Sequence, residues 1–394
     1  MSLYHTPYIR ADRFTPADIY ERPSRSVTYL FLFPNPIPSF MIATLELKNF
    51  TGFSQLEINF SPRINVLIGE NGTGKTKLLK AAYALCSGIS VFKSKPDVGK
   101  DEIESALTSK LVRLFMPLED KLGKLIRYGA TENAQLNACF ASGEKVALSF
   151  HTNSKSVAIF DNTNYAQYHY EPVFIPTKEV LSFMKGFNSL YEKYDLSFDQ
   201  TYQDICLLLD LPEMRVERLH EKAKWAIDAI ETLCGGRFIF YGGGNVTFKT
   251  GNVEYSANSI AEGFRKAGML LRLLETGAIQ PGISGPIFWD EPESNLNPKL
   301  MRLIVDIVLE LSRNGQQIVL ATHDYVLLKW FDLLMDKSKE DYVLYHSLYR
   351  DKETDELRLH STNNYLAIEP NPIDETFETL INSELDRTMG GLGR

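Results

Sequence analysis

The residues with the clearest chemistry are Gly69-Glu70-Asn71-Gly72-Thr73-Gly74-Lys75-Thr76, spaced as G-x-x-x-x-G-K-[ST]. Glycines there let backbone N–H groups crowd around phosphate oxygens, and a helix N-terminus beyond them adds a favourable dipole. Lys75 is placed to reach the β- and γ-phosphates of a nucleoside triphosphate, and the Thr76 hydroxyl to hold Mg²⁺. A second group is Asp290-Glu291, delivered at the carboxyl end of the apolar run Ile287-Phe288-Trp289. Asp290 suits the metal's hydration shell, and Glu291 suits orienting and deprotonating an attacking water. A third apolar run, 317–322, leads into His323-Asp324, where the imidazole can hydrogen-bond the γ-phosphate or the water. The expected ligands are therefore ATP and Mg²⁺, with Glu291 and His323 as the catalytic pair.

Strands and helices must position these groups. Residues 64–68 read as the strand entering the glycine loop, and 77–85 have helical composition. Two further strands are expected at 42–50 and 56–60, with 49–53 as a hairpin turn or a loop over the nucleotide base. Residues 92–122 look helical, 124–160 antiparallel β (145–150 and 156–160 most plainly), and 171–176 another strand. A helical lobe spans roughly 189–233. A meander follows at 238–241, 246–249 and 253–255. Its Gly242-Gly243-Gly244 lacks the Lys-[ST] and helix of a phosphate site and reads as a hairpin turn. Helix is expected at 267–274, edge strands at 341–350 and 356–360, a polar helix at 373–387, and a frayed end at 389–394. Residues 1–40 show no sustained periodicity and read as an extension that packs on its own domain or meets a partner.

The 394 residues carry a net charge of −8, which argues against a dominant nucleic-acid surface. No run of about 18 apolar residues appears, so no membrane span is expected. The apolar stretch 27–33 ends in prolines without a small-residue cleavage site and does not read as a signal peptide. Cys86, Cys139, Cys206 and Cys234 lack metal-site spacing and read as reduced core thiols, consistent with the cytoplasm.

Residues 69–76, 287–291, 294–298 and 322–324 together resemble an ABC-type ATPase head of the SMC/RecF/OLD kind. Asp290-Glu291-Pro292-Glu293-Ser294-Asn295-Leu296-Asn297-Pro298 carries the Walker B acids and D-loop of such heads in one run. The resemblance implies an α/β fold, an ABC-type P-loop head with an antiparallel β region and a helical lobe. Its parts would be an extension (1–40), a first head part (41–180), the lobe (181–236), a second head part (237–360) and a tail (361–394). No heptad pattern is sustained, so no long coiled coil is expected.

The resemblance also implies that two chains sandwich two ATPs, each P-loop facing the partner's signature motif. The matching stretch here, Ser259-Ile260-Ala261-Glu262-Gly263-Phe264-Arg265-Lys266, departs from Leu-Ser-Gly-Gly-Gln: Ala261 replaces the serine and Glu262 the first glycine. Gly263 keeps the close backbone approach, and Ser259 or Arg265 is left to supply the missing phosphate contact. No Q-loop glutamine is evident; Lys178 and Glu179 stand in its place. Among such heads the chain is most similar to the ATPase subunits of PARIS anti-phage systems. That likeness implies a homo-oligomer holding a separately encoded TOPRIM-type nuclease inactive until a phage trigger protein is sensed. A RecF-like DNA-repair ATPase is the alternative, disfavoured by the acidic composition; a transporter ATPase fits the insertion and altered signature poorly.

Overall fold

β3 (Ile64–Ile68), β11 (Ile287–Asp290) and β12 (Ile318–Ala321) are buried along their whole length. Strands covered on both faces read as unbroken apolar runs, which is how parallel sheets are built. With β7 (Val173–Ile175), β13 (Val343–Arg350) and β14 (Leu357–Thr362) they form a six-stranded sheet, order β14-β13-β3-β12-β11-β7. All neighbours are parallel except β13 and β14. This computed structural model describes residues 41–390 apart from 93, 94, 96 and 97. The expected extension over 1–40 and the chain end at 391–394 lie outside the described residues.

Successive side chains of a strand point to opposite faces, and this sheet divides its residues accordingly between two cores. Ile64, Val66, Ile287, Trp289, Ile318 and Leu320 pack with helices α4 (Gln200–Leu209), α5 (Glu221–Cys234), α6 (Glu262–Glu275), α7 (Pro298–Arg313) and α8 (Tyr325–Leu334). Leu67, Phe288, Val319 and Ala321 pack on the other side with α1 (Lys75–Ser87) and α2 (Lys100–Phe115). That second core is shared with an antiparallel sheet of β1 (Ile42–Phe50), β2 (Phe53–Asn59), β4 (Ala134–Phe140), β5 (Lys145–Phe150) and β6 (Ala158–Asp161), in the order β2-β1-β4-β5-β6. The helical lobe is α3 (Phe187–Lys193) with α4 and α5. A three-stranded meander follows, β8 (Arg237–Phe240), β9 (Val246–Thr250) and β10 (Val253–Ser256). The longest described helix is α9, Pro372–Gly390, of 19 residues.

Several expectations change. Residues 341–350 were expected at a sheet edge, but β13 lies between β3 and β14 and is buried from Val343 to Leu348. Its tyrosines and His346 gave it a half-polar look, yet His346 is satisfied internally by Ser361 Oγ at 2.7 Å and Asn65 Oδ1 at 3.2 Å. Burial holds that imidazole neutral, with its pKa pushed down to about 3. β4 falls in the antiparallel β region expected over 124–160, whereas α7 and α8 were not anticipated as elements. The glycine triplet is a hairpin turn as expected: Tyr241 N–H donates to the Asn245 carbonyl at 3.0 Å, between β8 and β9. All four cysteines are free, and Cys86, Cys206 and Cys234 are buried.

Besides their shared core, a buried amide joins the two sheets. Gln317, just before β12, is fully buried and mimics a strand partner for Ile42. Its Oε1 accepts from Ile42 N–H at 3.0 Å, and its Nε2 donates to the Ile42 and Ser61 carbonyls, both at 2.9 Å. Gln317→Leu would strand these backbone groups away from water. We expect a loss of about 2–3 kcal/mol of stability, the cost of buried unpaired polar groups, read as an earlier midpoint in urea unfolding. An unchanged midpoint would contradict the bridging role.

Candidate functional site

The glycine loop joins β3 to α1 with an abrupt change of direction. Gly69, Gly72 and Gly74 have φ of 147°, 84° and 93°, a region that side chains disfavour. A Cβ on Gly69 would lie 2.2 Å from the Leu348 carbonyl oxygen, and one on Gly74 2.8 Å from the Phe53 ring. Two of the glycines are thus required by β13 and β2, in addition to any ligand. Glu70, Asn71 and Gly72 form the exposed tip. Thr73 closes the loop from within, its hydroxyl donating to the Glu70 carbonyl at 2.9 Å. Helix α1 begins directly at Lys75, two residues earlier than its composition suggests, because Gly74 serves as the N-cap.

Lys75 is buried, and its ammonium donates to the Gly69 and Glu70 carbonyls at 2.7 and 3.0 Å. Burial lowers its pKa, while Glu291, Asp290, Glu293 and Glu70 pull it back up. The Thr76 hydroxyl lies 3.0 Å from both carboxylate oxygens of Asp290. Parallel pairing explains the meeting: β3, β12 and β11 are neighbours, so their carboxyl ends open onto one edge. Asp290 is buried; desolvation raises its pKa, and the hydroxyls of Thr76 and Thr177 oppose that rise.

Glu291 follows with φ of 48°, left-handed and unfavourable for a glutamate. Its carboxylate oxygen is 3.1 Å from His323 Nδ1. His323 is positioned by the Thr322-His323-Asp324 turn, where Asp324 caps α8 by accepting from Leu327 N–H at 2.7 Å. Lys75, Thr76, Asp290, Glu291 and His323 therefore converge as the sequence leads one to expect.

Ser259 and Gly263 do not join this cluster. Ser259 is exposed at the end of a short turn. Gly263 packs on its own chain, where a Cβ would come within 2.6 Å of the Asn295 carbonyl oxygen. Arg265 is not free for a phosphate: its Nε donates to Glu179 Oε1 at 2.7 Å, and its Nη1 donates to the Ile260 carbonyl. Glu179, offered as a Q-loop stand-in, is buried in that ion pair.

Three residues were missed. Thr177 donates to Asp290 Oδ2 at 3.0 Å; it follows β7, the strand beside β11, so topology rather than motif places it there. Glu293 is buried, with Oε1 accepting from the Thr322 hydroxyl at 2.8 Å and from His323 N–H at 3.1 Å. Among the described residues its Oε2 has no hydrogen-bond partner, and burial raises its pKa. Lys266 lies on α6 behind Glu291, and a lysine in a helix ordinarily faces solvent, so its type gave no sign of burial. Thr76 and Asp290 offer hard oxygen donors, the set that Mg²⁺ takes beside a phosphate.

Two family models match: "AAA ATPase domain" over residues 41–205 and "AAA domain, putative AbiEii toxin, Type IV TA system" over 249–329. Curated relatives include the DNA replication and repair protein RecF of Lactobacillus johnsonii, 52% identical over 44 residues. That of Idiomarina loihiensis is 49% identical over 49 residues. These segments span 12% and 14% of the relatives' lengths and 11% and 12% of this chain. Among solved structures, an Smc head bound to the C-winged helix domain of ScpA superposes with a TM-score of 0.50 at 12% identity, over 82% of this chain and 98% of that one. The SMC head domain from Thermotoga maritima gives 0.47 at 14% identity, over 82% and 100%. The fold is that of an ABC-type P-loop ATPase head.

Lys75→Ala removes the buried ammonium and leaves the apolar core untouched. ATP binding, measured by equilibrium dialysis or a fluorescent analogue, should be lost. Affinity near that of the unsubstituted chain would contradict the nucleotide assignment.

Proposed function

We propose that this chain binds and hydrolyses ATP, and that it acts as sensor and regulator of a separate toxic nuclease in anti-phage defence. The observation that carries the ATPase reading is the meeting of Lys75, Thr76, Asp290, Glu291 and His323 at one edge of the parallel sheet. Residues 69–76 cradle the phosphates, with Lys75 neutralising charge on the β- and γ-groups. Thr76 and Asp290 hold Mg²⁺, which when bound offsets charge on the phosphate oxygens. Glu291 takes a proton from the attacking water, and His323, at 3.1 Å, orients that carboxylate and hydrogen-bonds the reacting groups. The signature stretch, with Ser259 and Gly263, serves the partner's nucleotide in a sandwich of two chains. Head parts 41–180 and 237–360, the lobe 181–236 and the tail 361–394 are the matching division.

The regulatory reading is supported by the description of the model matched over 249–329, which names a toxin–antitoxin system. It is supported too by the likeness of the signature stretch to AriA-type ATPases of PARIS systems, whose partner is a TOPRIM nuclease released by a phage protein. The compartment is the cytoplasm; no helix among the described residues is long and apolar enough to cross a membrane. The short RecF matches favour a second reading, a DNA-repair ATPase that binds DNA as an ATP-dependent dimer. The net charge of −8 weighs against it.

Co-expression with the neighbouring reading frames and affinity purification separates the two. Defence predicts a stable complex with a nuclease that is silent until infection. A chain that purifies alone and binds duplex DNA in an ATP-dependent, salt-sensitive way would transfer the assignment to repair.

A further inference from the structure

Lys266, on the second turn of α6, is only 2% exposed, yet its ammonium is fully engaged. Nζ donates to the Glu291 carbonyl at 2.5 Å, to the Thr177 carbonyl at 3.0 Å and to the Ser294 hydroxyl at 3.0 Å. An ammonium has three donors and no acceptor, so this socket matches it completely. The acceptors come from three segments: the turn after β7, the end of β11, and the loop entering α7. Burial pushes the Lys266 pKa down to about 8, against the pull of Glu293, Glu291, Asp290 and Glu262. Removing the ammonium would leave these acceptors without their donor, so Lys266 also contributes to stability, and its role at the site has to be read from kcat rather than from folding alone.

What the socket holds is the strained residue of the site. Glu291, at φ of 48°, keeps that conformation only if its surroundings over-determine it. Its N–H donates to the Ala321 carbonyl at 2.9 Å, and its carbonyl accepts from Lys266. Its backbone is thus clamped between β12 and α6, leaving the carboxylate directed at His323. We propose that Lys266 is a positioning residue that ties α6 to Glu291, so that a shift of the α6 N-terminus reaches the water-activating carboxylate through one buried ammonium. Glu262 and Gly263 begin α6 and touch the loop before α7, Glu262 through the Asn295 side chain at 2.8 Å. Contact at that helix end would therefore pass to two loops of the site at once. The inference rests on the hydrolytic reading above.

Lys266→Met keeps the length and removes the ammonium. The KM for ATP should stay within about threefold while kcat falls at least about tenfold, since misplacing a catalytic group can cost about a hundredfold. Added to Glu291→Gln, Lys266→Met should lower the residual rate no further, because the carboxylate it positions is already disabled. Lys266→Gln retains two donors and should recover part of kcat. An unchanged kcat, a loss carried wholly by KM, or a full second loss on top of Glu291→Gln would overturn the proposal. Should Lys266→Met fail to fold by circular dichroism, Lys266→Gln takes its place: a lowered kcat at a KM within about threefold supports the proposal, and an unchanged kcat or a loss carried wholly by KM overturns it. Near-normal turnover of Glu291→Gln alone is a separate result, and it would remove the hydrolytic assignment itself.

Discussion

A cluster of charges buried at the end of a parallel sheet is the constraint on which this fold turns. Lys75, Asp290, Glu293 and Lys266 are each less than a tenth exposed, and Glu291 stands among them. Removing such groups from water is costly unless each finds an opposite charge or hydrogen bonds. The chain meets that requirement with backbone: Lys75 uses two loop carbonyls, Lys266 two more, and Glu293 the amide of His323. The surrounding backbone turns through positive φ, which glycine accepts at Gly69 and Gly74 and which is unfavourable at Glu291.

The same constraint links the two cores. Gly69 is pressed against β13 from one side and Gly74 against Phe53 of β2 from the other, so the loop is shaped by both sheets. Gln317 fastens those sheets at their opposite end. Lys80, on α1, reaches Asp199 at the start of α4 at 2.7 Å, and Arg272 ties α6 to the Leu209 and Leu211 carbonyls. The helical lobe is therefore attached to the helices that flank the site, so its position and the site's geometry are not independent.

How much of this was legible depended on how local the signal was. The glycine loop and the Asp-Glu strand end carry their chemistry in consecutive residues, and β1, β3 and β5 match their expected bounds. Helix α7 had a readable signal, Asn297 as cap and Pro298 in the first turn, but those residues were taken up by the D-loop reading. Thr177, Glu293 and Lys266 were not legible for a different reason. Each becomes functional only through a neighbour distant in sequence, 113 residues away for Thr177 and Asp290, and composition carries no trace of such a pairing. β13 was misjudged as an edge because His346 and its tyrosines look like surface, and only a buried partner such as Asn65 makes them core.

The central claim is that Glu291 activates water for ATP held by Lys75 and Thr76. Glu291→Gln tests it most directly, because the amide keeps the shape of the carboxylate but cannot accept the water's proton. Turnover and bound nucleotide should be measured together on the purified full chain. The account predicts a fall in turnover of at least about a hundredfold, the lower end for losing a general base, with ATP retained near one per chain in a persistent oligomer. Near-normal turnover, or loss of bound nucleotide together with activity, would contradict it.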